Sequence, residues 1–143
     1  MAVKAATGLY GLLWHAAGSA ENHIESRLSI VGLSLPKLAA LDQLVAADDT
    51  LALGILAERL RCVKSNVTQL VDRLELDGLV SRAADPNDRR SRLAVITEAG
   101  RSLHARGMKI QQEAEQELFG VLTPDEALQL TRILSKLDRR RRP

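Results

Sequence analysis

Cysteine occurs once in this chain of 143 residues, at Cys62, and aromatic rings only at Tyr10, Trp14 and Phe119. A lone thiol excludes an intrachain disulfide and any cysteine-cluster metal site, and fits a reducing, cytoplasmic setting. With so few aromatics the core must be built from Leu, Ala, Val and Ile, a mixture that leans towards helix. No apolar run approaches the roughly 20 residues of a membrane-spanning helix. Lys4 followed by Leu9, Leu12, Leu13 and Trp14 has the outline of a signal peptide, but His15 interrupts it and helical periodicity continues to Leu28, so none is expected. The formal charge is only +2, and with so little excess the placement of charges matters more than their sum.

The chemistry of catalysis is missing as well. There is no glycine loop to cradle phosphate, no metal-ligand spacing and no nucleophile–base pair, so neither an enzyme nor a cofactor is expected. His15 and His23 lie eight residues apart on one helix, too far to share an ion, and no carboxylate–histidine cluster joins them or His104.

What is present is helical periodicity. Hydrophobic residues make up 45% of the chain, enough for one core. Residues 5–30 place Leu9, Leu13, Ala20, Ile24 and Leu28 at steps of three or four or their sums, predicting one long amphipathic helix. Ser34 caps a second, with Pro36 in its first turn and Leu38, Leu41, Leu44 and Val45 inward. Leu51–Leu60 reads as a short third helix and Val63–Asp77 as a fourth. The fourth turns Val67, Leu70, Val71 and Leu74 inward and Lys64, Ser65, Asn66, Thr68, Gln69, Asp72 and Arg73 outward. Two short helices joined by a few residues, the second with a polar face, form a helix-turn-helix pattern.

A hairpin over residues 79–97 follows. Asp85-Pro-Asn-Asp makes its turn, Arg89, Arg90 and Arg92 cluster behind it, and Leu93 to Ile96 have strand character. Guanidinium groups on a hairpin tip suit an anionic partner such as a nucleic-acid backbone. Thr97 starts a helix to about Gly120, and Thr123-Pro-Asp-Glu126 is a capping box opening the last one, which ends in Arg139–Arg142. The fold class is therefore mainly α with a small β-hairpin wing. The terminal helices carry more apolar face than so small a globule covers, which points to a symmetric homodimer.

These residues resemble the MarR family of transcription regulators. The likeness rests on Leu56-Ala-Glu-Arg-Leu60, on Ser65-Asn-Val-Thr-Gln-Leu-Val-Asp-Arg-Leu-Glu75, on Gly78-Leu-Val80, and most of all on Asp85-Pro-Asn-Asp-Arg-Arg90 followed by Val95, Thr97 and Gly100. The resemblance implies a single domain over 1–143. Residues 1–33 and 120–143 would be dimerisation helices, 34–100 a winged helix-turn-helix lobe, and 98–119 a linking helix. It implies a homodimeric regulator, more often a repressor than an activator, on pseudo-palindromic double-stranded DNA, responding to a small-molecule or oxidant signal.

By the same resemblance, Ser65, Asn66, Thr68 and Gln69 meet major-groove edges, Lys64 and Arg73 meet phosphates, and Arg90 enters the minor groove with Asp88 orienting it. Arg89 and Arg92 belong to the same interface. Amide side chains suit adenine edges, a threonine methyl suits thymine, and a guanidinium suits a narrow, A·T-rich minor groove. An effector is expected between the dimer helices and the DNA-binding lobe, with Tyr10, Trp14 and His15 as candidate lining residues.

The chain departs from the family pattern at Arg61, where a turn glycine is usual, and at Val63 and Ala52, where helix caps are usual. Ser65 is an alternative cap that would start the reading helix two residues late. Cys62 is expected to be a small buried hydrophobe rather than a redox sensor. The competing function is a winged helix turned protein-interaction module without specific DNA binding.

Overall fold

The computed structural model describes residues 2–62 and 64–138, with side chains from Gly8 onward except that of Lys64. Val63, the expected site of a missing cap, and the basic run Arg139–Arg142 lie outside the described residues.

Helix α1 (Ala2–Leu28) buries Ile24 and Leu28 in its C-terminal half, while Leu9, Tyr10, Leu12 and Trp14 stand more than 60% exposed. It ends in a 3-10 turn at Ser29–Val31 and a left-handed Gly32 (φ 77°), a conformation glycine adopts without a Cβ penalty. Ser34 then accepts a hydrogen bond from the Lys37 amide at 3.3 Å and caps α2 (Leu35–Ala46), as its spacing predicts. Helix α2 lies at the centre of the lobe, burying Leu38, Ala40, Leu41 and Leu44.

The predicted third helix is shorter than its periodicity suggests. Residues Thr50–Ala52 form strand β1, and helix α3 runs Leu53–Leu60. Left-handed Asp48 and Asp49 turn the chain, and β1 then pairs antiparallel with β3 (Arg92–Ile96), matching Leu51 to Ala94. Backbone pairing on the open edge of β3 outweighs the modest helical preference of Thr50-Leu-Ala52. Ala52 sits at the α3 N-cap with no side-chain bond, as expected of its methyl group.

Helix α4 (Lys64–Leu76) buries Val67, Val71 and Leu74, and strand β2 (Val80–Ala84) pairs with β3 to close the hairpin. The sheet order is β1-β3-β2. Helix α5 (Glu98–Phe119) packs along both α1 and α2. Helix α6 (Pro124–Leu137) has the predicted capping box, in which the Thr123 amide and hydroxyl hold the Glu126 carboxyl below its ordinary pKa. No residue of α6 is buried; Leu128, Ile133, Leu134 and Leu137 are all exposed in the single chain.

The joint between hairpin and α5 is closely packed around Thr97 and Gly100. Thr97 Oγ1 accepts from the Gly100 amide at 3.0 Å and donates to the Gly78 carbonyl at 2.7 Å, while its own amide donates to the Leu79 carbonyl. A Cβ on Gly100 would sit 2.2 Å from that Leu79 carbonyl oxygen and 2.7 Å from Ile96 Cγ1. Helix propensity would favour alanine by about 1 kcal/mol, but overpacking costs about 1–3 kcal/mol, and here the neighbour is backbone that cannot step aside. Gly100→Ala should therefore lower the urea midpoint by the equivalent of about 1–2 kcal/mol, the upper part of the difference between the two. An unchanged or raised midpoint would show that the joint is not tight.

Candidate nucleic-acid interface

Successive residues of an α-helix advance about 100° around its axis, and that spacing divides α4 into three arcs. Val67, Leu70, Val71 and Leu74 share the arc facing the core; Val67, Val71 and Leu74 are fully buried there. Thr68, Asp72 and Glu75 form a second arc that faces the hairpin. Ser65, Asn66, Gln69 and Arg73 occupy the third, and all four are exposed. Of the expected groove-facing residues, Thr68 is the exception: it is half-buried on the hairpin side, and its carbonyl accepts from Arg82 at 3.2 Å. Lys64 begins the helix, so Ser65 lies inside the first turn and does not cap a late start.

The hairpin tip is built by two aspartates. Asp85 Oδ1 accepts from the Asn87 amide and Asp88 Oδ1 from the Arg90 amide, each at 2.9 Å, and the Ser91 amide donates to the Asp88 carbonyl at 3.1 Å. These are turns in which a short Asp side chain reaches the backbone two residues on. Asp88 was expected to orient the Arg90 guanidinium; it holds the Arg90 backbone instead. The physical reason is local geometry: a carboxylate two residues before an amide closes a turn on it. Among the described residues, the guanidinium groups of Arg73, Arg89, Arg90 and Arg92 form no ion pair, and all are exposed. Arg92 belongs to the first position of β3, opposite Ala84, and not to the tip.

Arg82 is the residue that sequence reasoning passed over. Its guanidinium contacts Asp72 Oδ1 at 2.6 Å and Glu75 Oε1 at 2.9 Å, and its amide donates to Glu75 Oε2 at 3.1 Å. The signal was present: two acids three apart on one helical arc, followed by an arginine on the next strand.

The connection from α3 to α4 places Arg61 in the left-handed region (φ 57°, ψ 39°), where glycine is usual, and exposes its side chain. Cys62 is exposed as well, contrary to the expected burial, with Sγ 3.4 Å from the Leu60 carbonyl. It follows the left-handed Arg61 at the surface.

The candidate effector residues lie on the outer half of α1. Tyr10 and Trp14 are 69% and 64% exposed with ring centroids 6.0 Å apart, and His15 is exposed, so no pocket encloses them in the single chain. His23 and His104 take different partners, Glu117 at 3.2 Å and Asp42 at 2.8 Å. No cluster among the described residues has the makings of a metal site.

Residues 33–91 match the model of the MarR family. An uncharacterised helix-turn-helix transcriptional regulator of Bacillus subtilis (strain 168), YkoM, is 31% identical over 134 residues, covering 94% of this chain and 86% of that protein. The transcriptional repressor Rv2887 of Mycobacterium tuberculosis is 26% identical over 126 residues, covering 88% of this chain and 90% of the relative. Among solved structures, a MarR mutant from Escherichia coli complexed with operator DNA superposes with a TM-score of 0.85 at 24% identity, over 94% of this chain and 96% of that one.

Arg61 carries a backbone cost of about 1–2 kcal/mol that glycine would not, partly offset by the greater freedom of glycine in the unfolded chain. Arg61→Gly should raise stability in urea by roughly 0.5–1 kcal/mol while weakening binding to duplex DNA if the side chain touches phosphate. Gain of stability with unchanged DNA affinity would remove Arg61 from the interface.

Proposed function

This chain belongs to the MarR family of DNA-binding transcription regulators, and from that premise we propose that it acts as a homodimeric repressor on a pseudo-palindromic operator, released by a small-molecule or oxidant signal. The observation that carries the proposal is the pairing of an exposed, amide-rich arc on α4 with unpaired arginines on the adjoining hairpin. Asn66 and Gln69 are the base-edge readers, with Ser65 and the Thr68 side chain beside them. Arg73 and Lys64 neutralise phosphate. Arg90 enters the minor groove from the tip that Asp88 shapes, flanked by Arg89 and Arg92, where potential rather than base identity is sensed.

The homodimer is supported by the faces that the single chain leaves in water. Leu128, Ile133, Leu134 and Leu137 of α6, Phe119 and Val121 before it, and Leu9, Leu12, Leu13 and Trp14 of α1 are all exposed. Each square ångström of apolar surface left in water costs about 25 cal/mol, so a second copy is the natural cover. A two-fold dimer presents two α4 helices to half-sites about one turn of DNA apart. Repression is supported by relatives named as repressors, among them Rv2887 and the homoprotocatechuate degradative operon repressor of Escherichia coli. A small-molecule signal is supported by the fold shared with an organohalide-sensing regulator solved in its 2,4-dichlorophenol-bound form. In the dimer, Tyr10, Trp14 and His15 come to line an effector site only if the second copy closes over them.

Selection of duplexes from a random pool, followed by binding at rising salt, tests this directly. Specific affinity should fall with a slope of about −0.9 per neutralised phosphate. A protein-interaction module would select no sequence. Arg90→Ala should weaken binding to the selected duplex by on the order of tenfold and lower the salt slope by about one, with the sedimentation of the dimer unchanged. Equal affinity in mutant and wild type would remove Arg90 from the minor groove. Gln69→Ala should relax selectivity at one or two base pairs per half-site by roughly 1–3 kcal/mol, and an identical selected motif would remove that contact.

A further inference from the structure

We propose that Arg82 is a positioning residue that locks the hairpin wing to helix α4, so that the two DNA-reading elements engage the duplex as one rigid unit. The proposal rests on the DNA-binding function above and adds to it the part that sets the angle between the readers.

Arg82 reaches three acceptors on one arc of α4: Asp72 Oδ1 at 2.6 Å, Glu75 Oε1 at 2.9 Å and the Thr68 carbonyl at 3.2 Å. Its own amide donates to the other Glu75 oxygen at 3.1 Å, so Glu75 grips backbone and side chain of the same strand residue. A planar guanidinium spans acceptors that a lysine ammonium, a point charge on a flexible stem, cannot hold together. The Arg82 side chain is 17% exposed, while Asp72 and Glu75 stay 56% and 44% exposed, so the tie lies in its shared geometry rather than in freedom from screening.

The lever arm shows why this matters. Arg82 pairs with Ala94 in the middle of the hairpin, and the tip begins three residues later, about 10 Å away at strand spacing. A swing of about 10° at the lock then moves the tip by roughly 2 Å, more than a hydrogen bond tolerates. The β1 strand pairs with β3 as far as Ala52 opposite Leu93 and holds that strand of the wing to the lobe, while the Thr97 bonds to Gly78 and Leu79 sit at the far end; neither ties β2 to α4. Among the described residues, Arg82 is the side chain that ties the β2 strand of the wing to α4. It also neutralises Asp72 and Glu75, which would otherwise stand as free carboxylates beside phosphate.

Positioning and charge neutralisation predict opposite signs in one variant. Asp72→Asn with Glu75→Gln removes two negative charges near the DNA and leaves Arg82 without its carboxylates. If the carboxylates served only as charges, affinity for the duplex selected by wild type would rise. With the lock broken, affinity should instead fall on the order of tenfold, the scale of a single base-pair mismatch. Hydroxyl-radical protection under the wing should fade while methylation protection under α4 persists, a split that general loss of folding does not produce. Arg82→Lys, which keeps the charge, should show the same split and guards against failure of the double variant to fold. Equal or tighter binding with full minor-groove protection in either variant, while wild type selects its operator, overturns the lock alone. A wild-type protein that selects no sequence overturns the DNA-binding function and the lock together.

Discussion

Helix α4 has to satisfy three surfaces at once, and the arrangement of everything around it follows from that constraint. One arc is buried against the core through Val67, Val71 and Leu74. A second is given over to the wing, where Asp72 and Glu75 hold Arg82. Only the third is left free to face a partner. The arcs carry different side chains: branched apolar on the first, Thr68 with the two acids on the second, and Ser65, Asn66, Gln69 and Arg73 on the third, where Leu76 also stands exposed at the end of the helix. Asp72 and Glu75 are accounted for by the arc they occupy, which faces the wing and Arg82.

The wing is a short hairpin and would be marginal alone, since isolated two-stranded hairpins are barely stable in water. Its stability is borrowed from both ends. At the base, β3 is central in the sheet, paired with β1 on one edge and β2 on the other, with Ala94 and Ile96 buried. At the tip, Asp85 and Asp88 spend their carboxylates on backbone amides, which leaves the arginine side chains unpaired and available. From the base, the Thr97–Gly100 joint passes directly into α5, which Arg101 ties to Asp49 and His104 to Asp42. The long helix is thus fastened to the lobe by packing and by polar contacts at successive turns.

Much of this was legible in the residues. The capping signals at Ser34, Thr97 and Thr123 are local, depending only on a hydroxyl and an amide three residues away, and all are found as read. The hairpin was legible because Asp-Pro-Asn-Asp is turn chemistry whatever surrounds it. Strand β1 was not, because Thr50-Leu-Ala52 carries no strand signal of its own; the open edge of β3, more than forty residues later, makes it one. Cys62 was misplaced for a related reason. The small apolar character of a lone thiol and the family's usual inward-facing residue suggested burial, but Cys62 follows a left-handed Arg61 and is exposed.

The sequence by itself determined the helices other than the start of α3, their hydroxyl caps, the turn of the wing and which polar residues share a face of α4, since each depends on contacts within a few residues. Tertiary structure alone decided which acids meet Arg82, that Thr50–Ala52 becomes a strand, and which apolar faces are left uncovered on α1 and α6. Those outcomes depend on elements brought together from distant parts of the chain. Periodicity shows that a face is apolar or acidic, but only packing shows what it faces.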